Sequence, residues 1–94
     1  MDTHFTTHPD ARLRLDKWLF HARFIKQRVL AVELVRRRRI RLNDRLVEKV
    51  HSTVRPGDVI TLVAPSGVAV LKVLALGERR GPAPEAQALY EKID

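Results

Sequence analysis

The hydrophobic positions of the chain change period near residue 40, and the change separates a leading helical part from a stranded one. Leu15, Trp18, Leu19 and Ala22 recur at three- and four-residue spacing, which predicts a first helix starting near Leu15 or Asp16 with those four on its buried stripe. An acidic side chain at that start accepts from unpaired amides and meets the positive end of the helix dipole. Lys17, His21 and Arg23 fall largely outside the stripe, so His21 is expected to be partly exposed. Trp18 reads as a core anchor rather than a ring for stacking on a base. Phe24, Ile25, Lys26 and Gln27 form a joint, and a second pattern opens at Arg28, with Leu30, Ala31, Leu34 and Val35 on one face.

Beyond the joint with the second helix the alternation is that of strands. Ile40 and Leu42 alternate with Arg39, Arg41 and Asn43; Asn43-Asp44 suits a two-residue hairpin turn, and Leu46-Val47 can return. Residues 54–58, with Pro56 and Gly57, make a turn before a strand at 59–63. After a second turn at 64–67, residues 68–76 read as a long strand apolar on both faces, which requires cover on each. The helices supply one cover and the final segment the other. Pro84 suits the first turn of a last helix through Glu85, Ala86, Leu89, Tyr90 and Ile93. Residues 1–11 are polar and aperiodic, and are expected to be a disordered leader. His4 and His8 within them read as a solvated pair rather than metal ligands.

Charge narrows the function classes. Between Arg12 and Arg45 twelve Lys or Arg face three acids, Asp16, Glu33 and Asp44, whereas the whole chain of 94 residues sums to +7. The positive charge is therefore local, and polyanions lead the possible partners. The densest run is Arg36, Arg37, Arg38 and Arg39, followed by Arg41. Adjacent guanidinium groups repel and in many proteins form a solvated tail. Here apolar helix positions precede them and Ile40 and Leu42 follow, which predicts an ordered helix-to-strand connection able to fork onto phosphate oxygens. The helix pair could enter a DNA major groove, but its second helix offers no Asn or Gln to read adenine, so base-specific DNA readout is expected to be weak.

No catalytic or cofactor constellation emerges. Gly57, Gly67, Gly77 and Gly81 are scattered turn glycines, and Ser52 and Ser66 lie in no nucleophile motif. Without cysteine there is neither a disulfide framework nor a thiolate metal site, which suits a reducing cytoplasm. No stretch approaches the roughly 18 apolar residues of a membrane span. The expectation is a binding protein, not an enzyme, with no cofactor, no metal and no membrane.

Several of these residues together resemble a known family. Arg14-Leu15-Asp16, Arg28, Leu34-Val35, the Ile40 to Asp44 hairpin and Val54-Arg55-Pro56-Gly57-Asp58 are similar to the RNA-binding domain first known in ribosomal small-subunit protein four. Lys17-Trp18-Leu19, Ala22-Arg23-Phe24, Lys26-Gln27-Arg28, Arg79-Arg80, Pro84-Glu85-Ala86 and Leu89-Tyr90-Glu91 extend the likeness to the small ribosome-associated heat-shock proteins of the fifteen-kilodalton family. The resemblance implies binding of large ribosomal subunits that have dissociated while holding peptidyl-tRNA. Three positions depart from the family pattern: its helix-ending Gly is Arg38, its hairpin Gly is Asp44, and the capping Ser or Thr is Gln27. The basic tail common in the heat-shock family has no counterpart before Asp94.

The expected fold is α+β, an S-four-like helix pair on a small, mostly antiparallel sheet with a C-terminal helix. Residues 12–76 would form the RNA-binding domain and 77–94 a loop and helix. Structured ribosomal RNA or tRNA is the expected ligand and the large ribosomal subunit the partner of a monomer. Arg14, Lys17, Arg23, Lys26, Arg28, Arg36, Arg37, Arg38, Arg39 and Arg41 would hold its phosphates on one basic face. A stand-alone targeting module of an RNA-modifying enzyme and a non-specific DNA-binding protein are the alternatives.

Overall fold

The computed structural model describes residues 11–93. The expected leader and its two histidines lie outside them, apart from Ala11. A short strand β1 (Leu13–Arg14) leads into α1 (Leu15–His21), and α2 (Val29–Arg36) follows after the joint. Strands β2 (Ile40–Leu42), β3 (Arg45–Leu46), β4 (Thr53–Val54), β5 (Val59–Ala64) and β6 (Gly67–Val73) precede α3 (Ala83–Gln87) and β7 (Tyr90–Lys92). Five strands form one sheet in the order β3-β2-β5-β6-β7, and β1 pairs with β4 separately. Every pairing among the described residues is antiparallel.

The core lies between α1 and the inner face of the sheet. Leu15, Trp18 and Leu19 are fully buried from α1, with Ile40, Ile60, Leu71 and Val73 from the strands. Trp18 is the anchor its spacing predicts, and its indole Nε1 donates to the Ala75 carbonyl at 2.8 Å, so its one polar group is satisfied inside the core. Phe24 stacks on it at 6.3 Å, and Tyr90 of β7 meets Phe24 at 4.7 Å between ring centroids. These contacts join the helix pair to the end of the chain.

The Asn43-Asp44 hairpin forms as its sequence requires. Both residues have positive φ (51° and 68°), the backbone of a type I′ turn, which Asn and Asp tolerate without glycine. Asn43 also locks the turn to its neighbour: its Oδ1 accepts from the Val59 amide at 2.8 Å, and its Nδ2 donates to Asp58 at 3.1 Å.

Five expectations need correction. The final segment is not one helix to Ile93: α3 spans five residues, and Tyr90–Lys92 forms an edge strand on β6. The free edge of β6 offers unpaired amides and carbonyls, and satisfying them outweighs the helical spacing of Leu89, Tyr90 and Ile93. With the tail spent on that edge, the outer face of β6 is uncovered, and Val68 (55% exposed) and Leu74 (46%) face solvent. The strand itself ends at Val73 rather than Leu76. On α2 only Ala31 is fully buried, Leu34 and Val35 are half-buried, and Leu30 is exposed. Lastly His21 is buried, with Nδ1 3.2 Å from the Leu76 carbonyl, because the segment leaving β6 folds over the last turn of α1.

Candidate nucleic-acid interface

The basic side chains fall into three groups set by the ends of the two helices. At the start of α1, Asp16 is buried and accepts the Lys17 amide at 2.8 Å, as expected of an acid in a first helical turn. The same carboxylate takes a bidentate pair from Arg14 (3.1 and 3.0 Å) and two longer bonds from Arg28 (3.3 and 3.2 Å). Both guanidinium groups remain nearly half exposed. Asp16 thus holds two cations from different helices in a fixed geometry, with one positive charge in excess. Lys17 and Lys26 are exposed nearby in sequence, on α1 and in the joint.

The second group lies at the end of α1. The helix closes with the Phe24 amide on the Leu19 carbonyl (2.9 Å) and the Arg23 amide on that of Phe20 (3.2 Å), and Arg23 takes a left-handed backbone with φ 68°. This is the Schellman arrangement, with arginine where glycine is usual. The Arg23 side chain reaches across and donates from Nε to the Gly81 carbonyl at 2.6 Å. Arg80 lies over the Phe20 ring, 5.1 Å from its centre, and Arg79 makes a bidentate pair with Glu85 at 3.0 and 2.8 Å. The hydrogen bond from Arg79 is the main cause that holds the Glu85 carboxyl below the usual carboxylate range, and the same bond raises Arg79.

The third group is the arginine run. It is an ordered connection, as the flanking apolar residues predict: Arg36 ends α2, Arg37 caps it, and Ile40 begins β2. Arg38 carries φ 58°, and its amide and that of Arg39 bond the Val35 and Leu34 carbonyls at 3.0 and 2.9 Å, a second Schellman close. Arg38 therefore occupies the glycine position in the left-handed form. Arg36 and Arg37 each pair with Glu33, at 3.2 and 3.5 Å. The run alternates between two clefts. Arg36 and Arg38 border a small one beside Leu46 and Glu48, whereas Arg37 and Arg39 border an open groove of about 420 Å³ with an apolar floor from Phe24, Leu30, Leu34 and Val63. Arg41, on β2, is exposed and touches the Asp44 carbonyl at 3.5 Å.

Sequence reasoning placed Asp16 as a helix-start acid but missed its two arginine partners, and left Arg79 and Arg80 without a role. The signal for the former was a single acid among cations at Arg14, Lys17 and Arg28. Among the described residues no cluster of His, Cys, Asp or Glu could hold a metal ion, and no helix is long and apolar enough to cross a membrane.

With this geometry in view, the relatives are informative. The S4 domain family matches residues 13–60, from β1 through the first two residues of β5. The chain belongs to the S4 domain family. It is 34% identical over 85 residues to a heat shock protein 15 homolog of Haemophilus influenzae and 37% identical over 84 residues to heat shock protein 15 of Escherichia coli K12. Those alignments cover 90% and 89% of this chain but only 64% and 62% of the relatives, so the chain spans less than two thirds of their length. A solved heat shock protein 15 from Vibrio cholerae, described as trimeric, superposes with a TM-score of 0.80 at 35% identity, covering 87% of this chain and 82% of that one. The S4 fold and its α+β architecture are thereby established, and the likeness supports an RNA-binding role.

Proposed function

We propose that the protein binds structured ribosomal RNA or tRNA on dissociated large ribosomal subunits that still carry peptidyl-tRNA, and takes part in the rescue or recycling of stalled translation in the cytoplasm. Residues 12–76 serve as the RNA-binding unit and 77–94 as its extension. The protein acts by binding rather than catalysis.

The observation that carries this reading is the ordered arginine run at the end of α2, where Arg38 is held in a left-handed backbone that costs about 1 kcal/mol relative to glycine. Guanidinium groups at an ordered helix end match phosphate oxygens in pairs, and Arg37 and Arg39 line the open groove. An A-form duplex hides its major groove from side chains, so recognition rests on shape and phosphate spacing with low sequence specificity. Arg14, Lys17, Arg23, Lys26, Arg28 and Arg41 add to the grip. One copy per RNA site is the working state; a stable trimer in light scattering would replace it with an arrangement like that described for the Vibrio cholerae protein.

With about six phosphates engaged, affinity for purified large-subunit ribosomal RNA falls about a thousandfold or more between 50 and 200 mM salt, by analogy with duplex DNA. Sucrose-gradient sedimentation of lysate with and without puromycin then tests the finer claim through co-migration with free large subunits. A flat salt profile, or a protein that stays at the top of both gradients, sinks the reading. Equal affinity for duplex DNA at matched salt favours a DNA-binding protein, and capture of a modifying enzyme without ribosomal subunits favours a targeting module.

A further inference from the structure

Arg79 and Arg80 lie outside the segment that the S4 family matches, and the fold brings both into the neighbourhood of the α1 terminus. We propose that Arg23, Arg79 and Arg80 form a second phosphate grip on the RNA, separate from the arginine run; this rests on the RNA-binding reading and extends it to a site that the run does not include.

Three features of the 77–85 segment support a built site rather than stray loop charges. Glu85, in the first turn of α3, turns back to clasp Arg79 with two hydrogen bonds, and its carboxylate lies against Gly81, where a Cβ would push it aside. The Gly81 carbonyl in turn anchors the Nε of Arg23, and this fixes the exposed arginine of the α1 terminus against the loop. Arg80 is held by stacking on Phe20, while its buried Nε finds no acceptor among the described residues. The Nε itself is enclosed, so a phosphate oxygen would be met by the terminal amines of the guanidinium that the Phe20 ring holds in place.

Charge points the same way. Arg23, Arg79 and Arg80 gather with Glu85 as the paired acid, and Glu78 is the other acid of the loop, so a positive excess remains. The site is distinct from the run in the elements that build it: the end of α1 and the 77–85 segment carry the one, and the connection from α2 to β2 carries the other. Two grips carried on different elements constrain how an RNA backbone lies across the helix pair, which gives a reader of shape a means of orientation without base contacts.

The test compares the salt dependence of binding to purified large-subunit ribosomal RNA for the wild type, R79Q/R80Q and R79K/R80K. Loss of two contacts should flatten the slope of log affinity against log salt by about two, so that between 50 and 200 mM the double glutamine variant loses about tenfold less affinity than wild type. The lysine variant, which keeps the charge without the stack, should recover most of the slope. In the wild type itself, RNA should protect Arg23 and Arg79 from arginine-specific chemical modification, a measurement that needs no variant to fold. A steep wild-type slope left unchanged by R79Q/R80Q, with protection confined to the 36–39 run, overturns the second grip and leaves the RNA reading standing. No RNA binding by the wild type overturns both.

Discussion

The two helices of the pair end in the same way and differ in what becomes of the arginine that ends them. Arg23 after α1 and Arg38 after α2 both adopt a left-handed backbone (φ 68° and 58°) at a position where glycine is the usual solution. At α1 the strain is offset within the chain: the Arg23 side chain bonds the Gly81 carbonyl, and the next residues, Phe24 and Ile25, enter the core. At α2 Arg38 is exposed, and its neighbours Arg36 and Arg37 share a single exposed acid, Glu33. The same backbone cost is thus tied to internal contacts at one end and to dense, outward charge at the other. A position that spends stability on exposed arginine is a natural candidate for a function outside the fold.

Removing the charge at one end and not the other gives the largest expected effect. Replacing Arg36, Arg37, Arg38 and Arg39 together with glutamine should weaken binding to large-subunit ribosomal RNA by a hundredfold or more at moderate salt, since even two charge-assisted phosphate bonds of about 1.5 kcal/mol each amount to that. Arg23→Gln alone should cost about tenfold or less, as the loss of one contact. Filter binding at a fixed salt concentration decides between them. Equal losses would mean that the two ends are not functionally different and that α2 holds no privileged site.

Stability offers a smaller and sharper version of the same contrast. Arg38→Gly relieves the left-handed strain and forfeits no side-chain hydrogen bond or ion pair seen among the described residues, so unfolding should become harder by roughly 0.5–1 kcal/mol, a rise of a few degrees in Tm for a domain of this size. Arg23→Gly relieves the same strain but gives up the bond to Gly81, worth about 1 kcal/mol, and should leave stability near its starting value. Denaturant titration of both variants measures the difference directly. Should Arg38→Gly fail to stabilise, the backbone at that position is not strained and the argument from it falls.

What could be read in the chain before its structure follows the range of the forces involved. The stripe of α1, the ordered run and the Asn43-Asp44 hairpin depend on neighbours within a few residues, and each forms as its pattern dictates. The departure at Arg38 from a helix-ending Gly was legible, and the hydrogen bonds to Leu34 and Val35 show that the arginine takes the left-handed form itself. Where reading failed, a distant partner decided. Helical spacing at residues 85–93 lost to the open edge of β6, and the burial of His21 depends on a segment 55 residues away. The charge pattern picked out the basic residues but not how they pair, because whether an arginine stays free or meets an acid such as Asp16 or Glu85 is settled by tertiary approach.

The smallest effect concerns the Arg79–Glu85 pair beside the α1 terminus. Arg79 holds the Glu85 carboxyl below its ordinary 4.5, chiefly by hydrogen bonding, so the folded protein takes up that proton at lower pH than the unfolded chain does. Stability from the pair is therefore present above the ordinary carboxylate range and is lost as pH falls through the lowered value. Both groups face solvent, so screening keeps the effect on unfolding slight, and a carboxyl-detected NMR titration is the better probe. Its midpoint for Glu85 should lie below 4.5 in the free protein and return to the ordinary value in R79Q. Adding RNA carries the contrast between the helix ends to this residue: if Arg79 turns from its carboxylate to a phosphate, the Glu85 midpoint rises in the complex, whereas a purely structural clasp leaves it low.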